Sequence, residues 1–306
     1  MKRIVPVLVA ALLCGCHASG LRGTRAASAD APAIAAGEYD NHEQAWAAAQ
    51  SAGGGVVPHV RLSLRAQRDD WMLWDVRADG AVPLRAQWAM RRVAGEGGAR
   101  LVPHRALVAT PGTDQAFDPS QWAALDACAL RRVHDTAAAT YAADAASCAV
   151  LAPGIGASAA LLPLSLLLDG EFVRARFYVD QARGDGARED LRRVRDYAGW
   201  VAINGAGPAA AADSTDWHMD RSMRIGNEGG RSPVRFRDGT PSGYSLQLER
   251  LTYRDGNVPV LKLSVVADAD GRTVAYAWSE PRAARIGLNL GWIQVGLDAA
   301  PDGAPR

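Results

Sequence analysis

Short segments in which apolar and polar residues alternate constrain the fold of this chain more than any other feature. Val60, Leu62 and Leu64 alternate with polar residues, and this period of two is typical of a half-buried β-strand. The other predicted strands are residues 71–76, 84–93, 99–107, 129–135, 140–143, 161–168, 171–180, 234–237, 244–253, 258–267, 273–278 and 286–297. No strand–helix–strand alternation appears, so we predict an all-β antiparallel barrel or sandwich with little helix.

Turn residues separate these segments at the spacing of hairpins. Asp169-Gly170 and Asp238-Gly239 favour tight turns, and 255–257 and 268–272 are predicted to connect further hairpins. Asp40 or Asn41 is predicted to cap a short N-terminal helix, and Asp118-Pro119 a second helical start. Residues 205–213, rich in Gly and Ala, are predicted to form either a linker or a long loop.

The N-terminus has the layout of a secretory signal peptide. Lys2 and Arg3 precede an apolar run over residues 4–13, which is shorter than the roughly 20 residues of a spanning helix. Leu13-Cys14-Gly15-Cys16 resembles the bacterial lipobox, which predicts acylation of Cys16. The alternative is an ordinary signal peptide cleaved nearby. His17 replaces the Asp that often retains lipoproteins at the inner membrane, so we expect the periplasmic face of the outer membrane.

The predicted organisation therefore has three parts. Residues 1–15 form the signal peptide, and residues 16–36 form the lipidated cysteine and a flexible tether of small residues. Residues 37–300 form the β domain. The anchor, with acyl chains such as palmitate, would hold the protein on a membrane without a spanning helix.

Composition limits the classes of partner and chemistry. A net charge of +1 over 306 residues argues against nucleic acid as a partner. Cys128 and Cys148 are the two cysteines of the mature domain, and in an oxidising compartment they predict one disulfide, the alternative being two free buried thiols. His134 alone between these cysteines and the isolated pair His218 and Asp220 do not indicate a metal site.

No familiar catalytic constellation is present in the sequence. The chain lacks a Gly-x-Ser-x-Gly elbow, a phosphate-binding loop and a His-Glu-x-x-His helix. No catalytic residue is therefore assigned, and no cofactor is predicted.

An ordered series of motifs resembles the CpeT/CpcT family of phycobiliprotein chromophore lyases. Gly37, Tyr39, Asn41 and Gln44 match the family's opening Gly-x-aromatic-x-Asn-x-x-Gln. The later matches are Pro83-Leu84-Arg85-Ala86-Gln87, which lacks the family's tyrosine, the hairpin from Cys128-Ala129-Leu130-Arg131-Arg132 to Cys148, and Arg176, Phe177 and Asp180. The resemblance covers residues 37–203 and implies a lipocalin-like, calycin-type β-barrel, here with a short N-terminal helix and extra C-terminal hairpins.

The resemblance also suggests where a ligand would bind. If the polar face of the strand over 171–180 lines the barrel, Arg174, Arg176, Tyr178 and Asp180 point inward and the arginines clamp the propionates of a tetrapyrrole. Arg85 and Gln87, on another predicted strand, would likewise line the barrel if the polar face of that strand points inward. The alternative is that these residues face water. Trp71, Trp74 and Trp88 are expected in the core.

Two functions follow as expectations. The first is an extracytoplasmic lipoprotein whose barrel binds a bilin or another tetrapyrrole, with lyase activity implied by the resemblance alone. The second is a structural or lipid-handling lipoprotein of the envelope without catalysis. The barrel lining separates them: inward arginines favour an acidic planar ligand, an apolar lining favours lipid, and a filled barrel favours a structural role.

Overall fold

A computed structural model describes residues 35–51, 56–95, 98–107, 116–135, 139–183, 187–253 and 257–301. The predicted signal peptide, Cys14, Cys16 and most of the predicted tether lie outside these ranges. The predicted turn at 255–257 lies mostly outside them as well.

The first half of the described chain is a β-barrel. Its strands are β1 (Gly37–Asp40), β2 (Val60–Ala66), β3 (Trp71–Ala78), β4 (Leu84–Val93), β5 (Arg100–Ala106), β6 (Trp122–Ala124), β7 (Leu130–Asp135), β8 (Ala139–Ala142), β9 (Pro163–Asp169), β10 (Phe172–Phe177) and β11 (Glu189–Arg193). Helix α1 (His42–Gln50) follows β1, and helix α2 (Ala145–Ile155) follows β8.

The barrel is closed and antiparallel. Its ten strands follow the order β4-β3-β2-β1-β11-β10-β9-β8-β7-β5, and β5 pairs back onto β4. The closure joins the first strand to the last, because Tyr39 pairs with Arg193 and also with Leu62. Strand β6 pairs with β5 outside this ring. The predicted all-β barrel is thus confirmed, including the hairpin β9–β10 that turns at Asp169-Gly170.

A disulfide and a short helical segment lie beside the barrel core. Cys128 and Cys148 form the predicted disulfide, which joins the 3-10 turn before β7 to α2. After α2 the chain runs through a 3-10 helix over Gly156–Leu161. Leu161 is buried in the same cluster as the strand side chains. Helix α2 was not predicted from the sequence.

The second half of the described chain forms two four-stranded sheets. The first has the order β13-β12-β19-β18, with β12 (Asp196–Asn204), β13 (Trp217–Gly226), β18 (Arg285–Asn289) and β19 (Ile293–Ala299). The second has the order β14-β15-β16-β17, with β14 (Glu228–Arg235), β15 (Pro241–Leu251), β16 (Val260–Ala267) and β17 (Thr273–Ser279).

These two sheets share an apolar core that is distinct from that of the barrel. Alternate residues of β15 and β16, such as Leu246, Leu248, Leu261 and Leu263, are fully buried in it. We call residues 196–299 the sandwich. The predicted C-terminal hairpins are present, and they pack on one another to form this sandwich.

Val194 and Arg195 form the two-residue linker between β11 of the barrel and β12 of the sandwich. The amide of Val194 donates to the carbonyl of Glu38 in the barrel at 2.8 Å, whereas the amide of Arg195 donates to Asn227 Oδ1 in the sandwich at 2.7 Å. Residues 205–213 join β12 to β13 within the sandwich. Of the two predicted possibilities for that stretch, the long loop is therefore correct.

Candidate functional site

The interior of the barrel is occupied by apolar side chains. Each of the ten strands contributes to one contiguous buried cluster, whose largest members include Trp74, Trp88, Tyr39 and Phe177. Trp88 donates its indole N–H to the carbonyl of Leu161 at 3.0 Å. Trp74 and Trp88 are thus core residues, as expected. The third tryptophan of the prediction, Trp71, belongs to a separate small cluster with Trp122.

One buried donor in this interior has no hydrogen-bond partner. The side chain of Trp74 is fully buried, and its indole N–H meets no acceptor within the part of the chain that the structure describes. Such unpaired buried donors are rare in folded proteins because burial removes the hydrogen bond to water.

Arg85 and Gln87 lie on the outer face of β4. Ala86 and Trp88 of the same strand point into the core, so the alternate residues point outward. Arg85 binds Asp75 through Nη2 at 2.7 Å, and Gln87 donates to the same carboxylate at 3.2 Å. Burial opposes ionisation of Asp75, but hydrogen bonds from Arg85, Arg77 and Gln87 outweigh it and hold the pKa of Asp75 below its ordinary value.

The arginines of β10 also lie outside the barrel. Val173, Ala175 and Phe177 belong to the interior cluster, which places Arg174 and Arg176 on the opposite face. Arg174 forms an ion pair with Asp190 on the neighbouring strand. The interior arginine clamp is therefore not formed.

Tyr178 and Asp180 lie beyond the end of β10. The strand, which was predicted to continue to residue 180, ends at Phe177 and passes into a 3-10 helix over Tyr178–Arg183. The carboxylate of Asp180 is fully buried and accepts the backbone N–H of Phe177 at 2.8 Å. This contact ends the strand, which accounts for an aspartate at this position.

The opening motif of the family resemblance holds the barrel closed. Asn41 is 1% exposed; its Nδ2 donates to Glu189 Oε2 at 2.5 Å and to the carbonyl of Pro58, and its Oδ1 accepts the amide of Val60. Gln44 accepts the amide of Asp190 at 3.0 Å. The two side chains therefore connect the start of α1 to β2 and β11, so the Asn-x-x-Gln spacing has an architectural role in this chain.

A charged cluster joins the barrel to the sandwich. Arg192 of β11 donates to Glu228 of β14, with Nη2 to Oε2 at 2.7 Å and Nε to both carboxylate oxygens at 3.2 Å. It also pairs with Glu43 of α1 and donates to the carbonyl of Arg250. The side chain of Glu228 is 1% exposed, and burial raises its pKa to about 7 against the opposing charge of Arg192.

Two histidine–carboxylate pairs flank this cluster. His59 Nε2 lies 2.7 Å from Asp40 Oδ1, and this hydrogen bond raises the pKa of His59. His42 Nε2 lies 3.0 Å from Glu249 Oε1, so the start of α1 is attached to β15 of the sandwich. The His42 ring lies against Gly229, where a Cβ would collide with it and where φ is +74°. We call Asp40, His42, Glu43, His59, Arg192, Glu228 and Glu249 the junction cluster.

A cleft of about 540 Å³ opens beside the junction cluster. It is lined by charged side chains of both signs, by three glycines and by a few apolar residues. The cations are paired within the chain, as Arg61 with Asp79, Arg224 with Asp196 and Arg231 with Asp268. The cleft contains no serine or cysteine among its described lining residues, so it offers no nucleophile of those types.

A row of exposed aromatic rings lies on the outer face of the sandwich. Tyr276 and Trp278 of β17 are 55% and 57% exposed and stack with ring centroids 5.2 Å apart. Tyr253 lies 5.7 Å from Trp278, and Trp46 of α1 lies 5.5 Å from Tyr253. We call these four residues the aromatic row. The row was not predicted from the sequence, although the spacing of Tyr276 and Trp278 on a predicted strand places both rings on one face.

Neither a metal centre nor a spanning helix is found in the described ranges. No group of three or more His, Cys, Asp or Glu side chains there is placed to hold a metal ion. No helix among the described residues has the length and apolar character needed to cross a membrane. Comparison of the chain with models of protein families, with curated proteins and with solved structures finds no match.

Proposed function

We propose that the protein is a non-catalytic lipoprotein of the cell envelope in which the barrel is a solid scaffold and recognition takes place on the outside. The observation that carries this proposal is the contiguous apolar cluster inside the barrel, to which every strand contributes. A barrel whose own side chains occupy its interior is a packed core and not a calyx. The arginines that would clamp a tetrapyrrole face outward, where Asp75 and Asp190 pair with Arg85 and Arg174.

Ligand titration tests the scaffold role. The purified protein is titrated with biliverdin, haem and a long-chain fatty acid, with absorbance and tryptophan fluorescence as readouts. We expect no saturable binding of any of them, because the interior side chains would have to leave the core to make room. Stoichiometric binding of one of these ligands would contradict the proposal.

A second candidate function rests on Trp74. The unpaired indole N–H inside the barrel would suit a small apolar ligand that carries one hydrogen-bond acceptor, which is the lipid-handling or tetrapyrrole-binding alternative. In this case one of the titrated ligands binds, and Trp74→Phe, which removes only the donor and part of the ring, weakens it. Trp88→Phe and Arg85→Ala serve as controls, because Trp88 already donates to Leu161 and Arg85 lies outside.

The lipid anchor has its own test. Cells that express the protein are labelled with radioactive palmitate, and a Cys16→Ser variant is the control. We expect label in the wild-type band and none in the variant, with the wild type recovered in the outer-membrane fraction. Equal labelling of both proteins, or of neither, would leave the scaffold without an anchor and contradict this part of the proposal.

A further inference from the structure

Strand β17 is an edge strand that carries no charge and no proline. Each of the other three edge strands of the sandwich sheets carries a charged residue, and one also carries a proline. These residues are Asp220, Arg221 and Arg224 on β13, Arg231 and Pro233 on β14, and Arg285 on β18. Charged and proline residues at edges prevent pairing with other chains. The sequence Thr-Val-Ala-Tyr-Ala-Trp-Ser of β17 lacks them.

The side chains of β17 present an aromatic surface beside that edge. Register with β16 places Trp278 opposite Lys262 and Tyr276 opposite Ser264, on the face away from the core. Lys262 lies over the Tyr276 ring at 5.6 Å and pairs with Glu249 at 3.7 Å. The charges nearest to these rings, Lys262 and Glu249, are therefore paired with each other, and this surface suits an uncharged, aromatic partner surface.

We infer that β17 pairs with β17 of a second copy of this chain, antiparallel and about a twofold axis at Ala277. The register follows from the strand itself. A bulge interrupts the pairing of β17 with β16 between Ala275 and Thr273, so the regular stretch is residues 275–279, whose centre is Ala277. Pairing centred there makes Tyr276 of each copy face Trp278 of the other.

This arrangement accounts for both the open strand edge and the exposed rings of β17. It supplies hydrogen-bond partners to the open edge, and it covers two rings that are each more than half exposed. Aromatic pairs across antiparallel strands are stabilising, and no charged residue of one β17 faces a charged residue of the other. Because the interface is isologous, it closes at two copies and does not propagate. The inference is independent of the proposed scaffold role and of the lipid anchor.

Cysteine cross-linking tests the register. In a chain with Cys14→Ser and Cys16→Ser, Ala277→Cys places two thiols across the axis, where Cα atoms of an antiparallel pair are about 4.5–5.5 Å apart, within disulfide range. Ala275→Cys is the matched control, because it is the same substitution on the same strand and face. Its two copies would be on the order of 13 Å apart along the strands.

We expect Ala277→Cys to give a disulfide-linked dimer under mild oxidation and Ala275→Cys alone to give none. A mixture of Ala275→Cys and Ser279→Cys chains should cross-link, since these positions face each other in the proposed register. Equal cross-linking of the Ala277→Cys and Ala275→Cys proteins would show random collision and overturn the inference.

The molar mass in solution tests the association itself. By analytical ultracentrifugation the wild type should pass from monomer to dimer as its concentration rises, and Trp278→Ala should raise the dissociation constant at least tenfold. Trp278 is more than half exposed, so circular dichroism should show the same fold in both proteins. A wild type that stays monomeric at all concentrations overturns the inference, as does one that uses the aromatic row to bind a glycan or another protein while remaining monomeric.

Discussion

The barrel and the sandwich are both antiparallel β structures, but the barrel sheet closes on itself and the two sandwich sheets have open edges. The barrel pairs β4 with β5 and β1 with β11, so its ring of strands has no edge. Trp74 and Trp88 point inward, whereas Trp71 packs with Trp122 in a small cluster outside the interior. The sandwich leaves four edge strands and carries its largest exposed rings on the surface. The sandwich therefore combines open sheet edges with exposed aromatic rings that are available for recognition.

The two regions are joined mainly by polar contacts. Their apolar cores form separate clusters, and between them lie the junction cluster and the two connecting residues. Apolar burial therefore stabilises each region by itself, and ion pairs and hydrogen bonds set how they are attached. Substitutions in the core of one region should therefore affect its own stability, whereas substitutions in the junction cluster should affect the attachment.

The largest expected effect comes from the barrel core. Trp88→Ala removes a fully buried indole and its hydrogen bond to Leu161, and should lower the free energy of unfolding of the barrel by about 4 kcal/mol. Hydrogen exchange with mass spectrometry should show faster exchange in residues 35–193 and little change in 196–299. Uniform loss of protection over both regions would mean that barrel and sandwich unfold as a single unit.

The second largest loss of stability is expected on removal of Arg192, the central cation of the junction cluster. Arg192→Ala leaves Glu228 buried without its bidentate partner, and at pH 8 should cost about 3 kcal/mol. Arg282→Ala is the matched control, because the pair of Arg282 and Glu171 also joins sandwich to barrel but both side chains are 67% exposed. That substitution should cost about 0.5 kcal/mol or less. Equal costs in denaturant unfolding would refute the central role of Arg192.

The junction should also make stability depend on pH. The folded-state pKa of Glu228 is raised to about 7 from 4.5, so the folded protein retains a proton that the unfolded chain has lost between these values. Stability should therefore fall as pH rises from about 4.5 to 7, by an amount on the order of 2 kcal/mol. The raised pKa of His59 acts in the same direction, because that contribution is present below about pH 6.5 and is lost above its folded pKa.

The variant Glu228→Gln isolates the first of these contributions. Its stability, measured by urea unfolding across pH 4 to 8, should decline less between pH 4.5 and 7 than that of the wild type. An unchanged slope would assign the pH dependence to His59 or to other groups.

A small effect is expected at Arg85, the residue that the family resemblance favoured. Arg85→Ala removes one of three partners of Asp75, while Arg77 and Gln87 remain, and should cost about 0.5–1 kcal/mol. In thermal unfolding this variant should resemble the wild type much more closely than Trp88→Ala does. A loss comparable to that of Trp88→Ala would place Arg85 in a role that its outward position does not explain.

Much of the fold was predictable because it depends on local periodicity. The alternation of Val60, Leu62 and Leu64 gave β2, and Asp169-Gly170 gave the hairpin β9–β10. Alternation separates the two faces of a strand but does not indicate which face is inward. The sequence therefore did not decide whether Arg174 and Arg176 line the barrel or face water. The buried partners Val173 and Phe177 decide it, and their burial depends on the other nine strands.

The division into barrel and sandwich was harder to predict. The sequence draws attention to the Gly- and Ala-rich residues 205–213, but the actual boundary is Val194 and Arg195, which have no unusual composition. The contact of Arg192 with Glu228 joins residues 36 positions apart on different sheets, and no local pattern indicates such a pair. Helix α2 was missed because Pro153 and Gly154 within it weaken the helical pattern.

The way each region is closed has a consequence for how the chain folds as it is synthesised. The barrel is completed when β11 meets β1, and the sandwich when β19 meets β12. In each region the first strand pairs with the last, so both regions have contacts of high sequence separation and cannot be completed until their last strand is present. The barrel can nevertheless be complete once residue 193 has entered the compartment in which the chain folds, before the sandwich strands have arrived there. A chain truncated within residues 196–299 would thus still contain the complete barrel, and loss of β19 would destabilise the sandwich alone.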